Sequence, residues 1–271
     1  MGKNLFKGLR RRIGNYLTNE NEREYVRLFM KWGGHSRYST VENVRFLDYS
    51  FTVPDLQTFL GQFQEIFVGD CYKFVPRNNQ PTIIDCGANI GLSCLYYSRS
   101  YPKSKVVAFE ADPKILPVLK RNLESNGVDN VELVDRAVWI NDGEVDFAAE
   151  GSDGGSIYGS DNVIRVKCVR LRDILVKYPR VDFLKIDIEG AEYEVVVDCK
   201  NSLDNVDNIF IEFHSWSGRD QKLGEILTVL ESNRFRYFIE VPTKRKSPMT
   251  DRGRDRVIDM HMNIYGWKNH G

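Results

Sequence analysis

The chain has 271 residues, and its 38 Lys plus Arg balance 38 Asp plus Glu to a formal net charge of zero; that length allows one decorated α/β core, and the balance removes the global charge bias that would draw the protein to nucleic acid or to a membrane. Its five cysteines (Cys71, Cys86, Cys94, Cys168 and Cys199) form no C-x-x-C pair and have no histidine at zinc-ligand spacing beside them, which argues against a disulfide framework and a structural zinc. No apolar run approaches the roughly 20 residues that cross a bilayer, and the N-terminus lacks the apolar stretch of a secretory signal, so a soluble, cytoplasmic protein with thiols packed as small hydrophobes is expected.

Residues 1–17 carry Lys3, Lys7, Arg10, Arg11 and Arg12 with no acid, while Leu5, Leu9, Ile13 and Leu17 share one face of a helix. Such a segment either packs as a surface helix on the domain or lies on the inner face of an anionic membrane as a peripheral contact. The sixth position lacks the Ser or Thr that a myristoylation signal wants. A second amphipathic helix is predicted over Asn21–Lys31, ended by Gly33 and Gly34. Short strands and turns should follow up to Phe74, with a helical piece around Leu56–Phe67. Residues 1–71 thus read as an N-terminal extension that caps the sheet or shapes an acceptor pocket, and 72–271 as the main domain.

After Pro81 short apolar runs alternate with amphipathic segments, the pattern of a parallel sheet covered on both faces. Strands are predicted at Thr82–Asp85, Lys105–Glu110, Val131–Ala137, Asp182–Asp187, Asn208–Phe213, Tyr237–Val241 and Met260–Tyr265. Helices are predicted at Gly91–Ser100, Lys114–Asn126, Ala191–Cys199 and Leu223–Ser232. Gly143 to Val169 alternates as a hairpin around the Gly/Ser/Asp-rich stretch Gly151 to Ser156. A polar loop and not a helix joins the final two strands, which favours antiparallel insertion of the last one.

Ile83-Ile84-Asp85-Cys86-Gly87-Ala88-Asn89-Ile90-Gly91 is an apolar strand ending in an acid and a glycine turn, followed at once by a helix. Glycines let backbone approach a ligand, and a helix start offers unpaired N–H groups. The spacing is neither the dinucleotide G-x-G-x-x-G nor a phosphate loop, which argues against NAD and ATP. Glu110 closes the next strand, where an acid holds the two free hydroxyls of a ribose. A ribose without a pyrophosphate fits S-adenosylmethionine: Asp85, Gly87, Asn89 and Gly91 would face its methionine end, Glu110 its ribose, and Asp135 the adenine amine. For Asp135, a salt bridge with Arg136 is an equal alternative.

At these residues the chain resembles the FkbM family of S-adenosylmethionine-dependent O-methyltransferases. The resemblance rests on Ile84 to Ser93, on Phe109-Glu110-Ala111-Asp112-Pro113, on Asn122, on Phe183-Leu184-Lys185-Ile186-Asp187-Ile188-Glu189-Gly190-Ala191-Glu192, and on Ile211-Glu212-Phe213-His214. It covers about Tyr72 to His214. Ala111 stands where the family more often has proline, and Cys86 where valine is usual. The resemblance implies a Rossmann-like class I methyltransferase sheet, mostly parallel with an antiparallel last strand, and methyl transfer to a hydroxyl of a sugar, glycan or related natural product.

Methyl transfer from a sulfonium is an in-line displacement that needs alignment and a proton acceptor, beyond the carboxyl ends of the strands. Asp187 is placed at one strand end, with Glu212 and His214 at the next. With period two, Lys185 and Asp187 share a face of their strand, as Glu212 and His214 do of theirs. Asp187 or His214 is the expected base, and Lys185 an electrostatic partner that keeps Asp187 ionised. A divalent metal on Asp187, Glu212 and His214 is a minority alternative, and no metal is expected. His35, His261 and His270 carry no signal of their own. Two other classes remain: a non-catalytic adenosylmethionine-binding module, which leaves the Lys185–Asp187 and Glu212–His214 pairs without a use, and an NAD-linked dehydrogenase. Finally, Thr243–Arg256 concentrates Lys244, Arg245, Lys246, Arg252, Arg254 and Arg256, and reads as a mobile lid for an acidic, phosphate- or lipid-linked acceptor.

Overall fold

In the computed structural model, residues 19–149, 156, 162–242, 247, 249–250 and 258–269 are described, beginning with helix α1 (Glu20–Trp32). Asn19 caps it by accepting from the N–H groups of Asn21 and Glu22, and Gly33 ends it as the sequence predicts. Strands β1 (Val41–Phe46) and β2 (Tyr49–Val53) form an antiparallel hairpin, and α2 (Leu56–Phe63), capped by Asp55, runs on into a π-helical turn, Gln64–Val68. The basic segment 1–17 lies outside the described residues, and so does most of the expected lid: of Thr243–Arg256, Ser247, Met249 and Thr250 are described.

The alternating pattern after Pro81 gives β3 (Thr82–Cys86), α3 (Leu92–Ser100), β4 (Lys105–Glu110), α4 (Leu116–Ser125) and β5 (Val131–Asp135). There follow β6 (Ala137–Trp139), β7 (Gly143–Ala148), β8 (Val163–Arg170), α5 (Leu171–Leu175), β9 (Val181–Ile186) and α6 (Glu192–Asp198). The chain closes with β10 (Val206–Trp216), α7 (Leu223–Ser232), β11 (Arg236–Glu240) and β12 (Ile258–Trp267). Among the described residues the main sheet has the order β11-β12-β10-β9-β3-β4-β5. β3, β4, β5, β9 and β10 run parallel, and β12 inserts antiparallel between β10 and β11, as expected from the polar connection. The fold is thus α/β and Rossmann-like.

Three expectations need correction. The run Val131–Ala137 is two strands: at Arg136, whose N–H turns back to the Val134 carbonyl, the chain leaves the main sheet, and β6 pairs with β8 in a second sheet of order β6-β8-β7. Helix α4 starts at Leu116 with Pro117 in its first turn, two residues later than predicted. Strand β10 is 11 residues long, because β12 pairs with it from Asn208 to Trp216. The expected hairpin stands, with Gly143 opposite Cys168 and Ala148 opposite Val163.

Period two sorts the sheet into two faces. Ile83, Phe183 and Phe210 join a core with α2, α3 and the β1–β2 hairpin; Ile84, Leu184, Ile186, Ile211 and Phe213 join another with α6 and α7. On the first face, polar residues succeed the apolar ones toward the strand ends: Asp85 on β3, Lys185 on β9, Glu212 and His214 on β10. The N-terminal segment is fastened over that face by buried Asn122 of α4. Its amide bonds the backbone of Thr52 through both N–H and C=O, and donates to the Ile90 carbonyl in the turn after β3. Cys86, Cys94, Cys168 and Cys199 are buried and all five thiols are free. Among the described residues no helix is long and apolar enough to cross a membrane.

Candidate active site

The turn after β3 is built from backbone. The N–H groups of Gly87 and Ala88 donate to the Phe109 carbonyl at the end of β4, and that of Asp187 donates to the Cys86 carbonyl. Gly87 has φ +94°, and a Cβ there would fall 1.9 Å from the Asp187 carbonyl oxygen, so both the handedness and the close approach demand glycine. Gly91, at φ +95°, starts α3, and a Cβ on it would press within 2.7 Å of Leu119. Between them Asn89 is left-handed at φ 48° and donates its N–H to Glu110 Oε2 at 2.8 Å.

Glu110 is buried and accepts three backbone N–H groups, from Asn89 on one oxygen and from Ala111 and Asp112 on the other. Burial nevertheless outweighs these donors and pushes its pKa up to about 7. The carboxylate borders a cleft of ≈ 680 Å³ whose walls include Gly87, Asn89, Phe109, Ala137, Val138 and Phe147. Apolar walls for a purine beside a carboxylate for a diol fit a nucleoside. Asp135, paired with Glu110 across β4 and β5, is exposed outside the cleft; its neighbour Arg136 lines the cleft in its place.

Asp85 is fully buried beneath the turn and lines neither this cleft nor the next. Ser93 Oγ donates to its Oδ2 at 2.6 Å, and Lys185 Nζ stands 3.3 Å from its Oδ1. Lys185, itself buried, also donates to the Gly87 carbonyl at 2.7 Å and lies 3.1 Å from Asp187 Oδ2. Burial opposes the charge on Lys185, but Asp187 and Asp85 prevail and hold its pKa above the usual lysine value. One ammonium therefore ties the turn, the buried acid and Asp187 together.

A second cavity, ≈ 770 Å³, adjoins the first; Gln62, Gly87, Asn89, Asp187 and Glu189 line both. Its other walls include Glu65 of the π-helical turn, Tyr72, Lys185, Glu212 and His261. Asp187 stands at the junction with a fifth of its side chain exposed. His214 does not reach the cavity. It stacks behind His261 with ring centroids 4.9 Å apart, and its Nδ1 meets the fully buried Glu192 at 3.3 Å. His261, which the sequence left without a role, lies directly opposite His214 in the β10–β12 register, and its Nε2 is 2.7 Å from Glu212 Oε1. The expected insertion of the last strand was the signal that could have found it.

A Rossmann-like sheet whose first turn carries no pyrophosphate cradle, with a buried acid closing the second parallel strand and a second cavity beyond, is the arrangement of an S-adenosylmethionine-dependent methyltransferase. Residues 85–237, more than half the chain, match the Methyltransferase FkbM domain, and the chain belongs to that family. It is 29% identical over 206 residues to Methyltransferase 1 of Beauveria bassiana, covering 66% of this chain and 82% of that one. It is 25% identical over 242 residues to the 31-O-demethyl-FK506 methyltransferase FkbM of Streptomyces tacrolimicus, covering 74% and 91%. To the 2-O-methyltransferase NoeI of Sinorhizobium fredii it is 26% identical over 167 residues, covering 54% and 66%.

An ionised carboxyl accepts from ribose hydroxyls and a protonated one does so poorly, so a ribose held by Glu110 predicts an S-adenosylhomocysteine affinity that rises with pH through about 7 and levels off above it. The sign for stability is opposite: a carboxyl whose folded pKa is raised contributes stability that is full below its ordinary value and lost as pH climbs through about 7. Glu110→Ala should weaken the ligand by about 2–3 kcal/mol and abolish the pH dependence. Calorimetry giving a flat profile for the wild type, or wild-type affinity for the variant, would reject the ribose assignment.

Proposed function

We propose that the protein is an O-methyltransferase acting on a hydroxyl of a sugar, glycan or related natural product. The observation that carries this is the position of Asp187, which lines both cavities and keeps a fifth of its side chain exposed. When bound, S-adenosylmethionine supplies an electrophilic methyl carbon. Gly87, Asn89 and Gly91 shape the turn that receives it, Glu110 holds the ribose, and Asp85 acts at one remove, by fixing Lys185. Asp187 accepts the proton of the acceptor hydroxyl, and Lys185 orients Asp187 through the 3.1 Å ion pair. His214 is a weaker candidate for the base: it lies behind His261, and although burial disfavours its charge, Glu189, Glu192 and Glu212 hold its pKa well above the usual histidine value. Glu65, Asp187, Glu189 and Glu212 line the second cavity, and burial pushes the Glu65 carboxyl up to about 7 and that of Glu189 well above the usual range, so the cavity offers carboxyl groups that hydrogen-bond a neutral polyol. Transfer to oxygen is also what the names of the Streptomyces and Sinorhizobium relatives state for those proteins.

The test is transfer of a labelled methyl group from S-adenosylmethionine into fractionated glycans, glycolipids and small polyols. Label in an ether, absent with Asp187→Asn, is the expected result; label found only on nitrogen or carbon would reject it.

A further inference from the structure

We propose that Glu212, His214 and His261 form a binding site for one first-row divalent transition ion, such as manganese, cobalt or zinc, at the edge of the acceptor cavity. The three donors belong to two neighbouring strands, whose register sets His214 against His261 and Glu212 against Asn263. Their ligand atoms all lie within 4.8 Å of one another. Glu212 Oε1 is 2.7 Å from His261 Nε2 and 3.7 Å from His214 Nε2. Donors about 2.1 Å from one ion and at right angles lie about 3 Å apart, so small side-chain rotations close the set. Two imidazoles and a carboxylate select transition ions over magnesium or calcium, which prefer oxygen alone.

Three further features point to a cation. Glu192, fully buried, takes the His214 ring at Nδ1 and is itself fixed by the N–H groups of Ile188 and Gly190. A carboxylate behind a histidine orients the ring and leaves the other nitrogen for a metal. Asn263, across from Glu212 and on the same face of β12 as His261, keeps its Oδ1 buried with no hydrogen-bond partner among the described residues. Lastly, the cavity holds four carboxylates, while its lysine, Lys185, is already shared between Asp85 and Asp187. Asp187 and Glu189 also face the nucleoside cleft and can serve a sulfonium; Glu65 and Glu212 line the second cavity alone.

Such an ion would hold the acceptor hydroxyl and lower its pKa, a service that rests on the O-methyl transfer proposed above. Its binding does not. After dialysis against a chelator, titration with Mn2+, followed by calorimetry and by loss of the free-ion paramagnetic resonance signal, should show one ion per chain. His261→Gln and Glu212→Gln should each weaken it by at least about tenfold, with S-adenosylhomocysteine affinity kept as proof of folding. His35→Ala, outside the cavity, should bind as the wild type does. Asp187→Asn should stop turnover and still bind Mn2+, which separates failure of this site from failure of the transfer reading. No binding of Mn2+, Co2+ or Zn2+ by the wild type, or binding unchanged in both cavity variants, overturns the site.

Discussion

Asp187→Asn should lower kcat by about a hundredfold to ten-thousandfold while S-adenosylhomocysteine affinity stays near wild type. A sugar hydroxyl is a poor nucleophile while protonated, and a positioned acceptor is worth that much in the transition state. The amide keeps the size of the side chain and can still accept from the hydroxyl, but it does not take the proton. The Asp187 carboxylate is paired with Lys185, and the backbone bond from Asp187 to Cys86 survives the change. A parallel loss of kcat and of ligand affinity would mean that Asp187 builds the nucleoside site, and full turnover would remove it from the chemistry. His214→Ala provides the contrast: the imidazole stands behind His261, so its loss should act through the Glu212–His214–His261 site and weaken Mn2+ binding together with turnover.

The second large effect is on stability. Lys185→Met should cost about 3–5 kcal/mol, because it strands Asp85 in the core with the Ser93 hydroxyl as its remaining strong donor. Burial already pushes the Asp85 carboxyl above its usual range while Lys185 and Ser93 pull against it. Without the ammonium, the carboxylate must take up a proton or stay uncompensated. At about 2–4 °C per kcal/mol for a domain of this size, the melting temperature should drop by roughly 10 °C. Adding Asp85→Asn to Lys185→Met should recover part of the loss, and the double-mutant cycle measures the coupling. Wild-type melting for Lys185→Met would show that the buried triad does not carry the stability assigned to it. Because Lys185 also bonds the Gly87 carbonyl, the single variant should bind S-adenosylhomocysteine less tightly as well.

Much of the cleft beside the first turn was legible because its signals are local. The glycine turn, the helix start and Glu110 follow from strand-turn-helix punctuation over a few residues; period two placed Glu212 with His214 on one face of β10, and Lys185 on β9 meets Asp187 one residue past the strand's end. Asp85 shows the limit of such logic. An acid beside a glycine turn reads as a ligand contact, yet period two turns it into the layer under the turn, where Lys185 of the adjacent strand neutralises it. Asp135 and Arg136 show another: the break between β5 and β6 depends on β8, some 30 residues onward, recruiting β6 into its own sheet.

By itself, then, the sequence determined the layered α/β architecture, the antiparallel last strand, the turn at Gly87 and the acid that closes the second parallel strand, since each is set by periodicity or by neighbours in the chain. The tertiary structure alone decided which histidine faces the cavity. Glu212 and His261 are 49 residues apart, and their contact exists because β12 pairs with β10 in one particular register. A slip of one residue would turn His261 and Asn263 to the opposite face of the sheet, and register is fixed by burial on both faces, which no local pattern encodes.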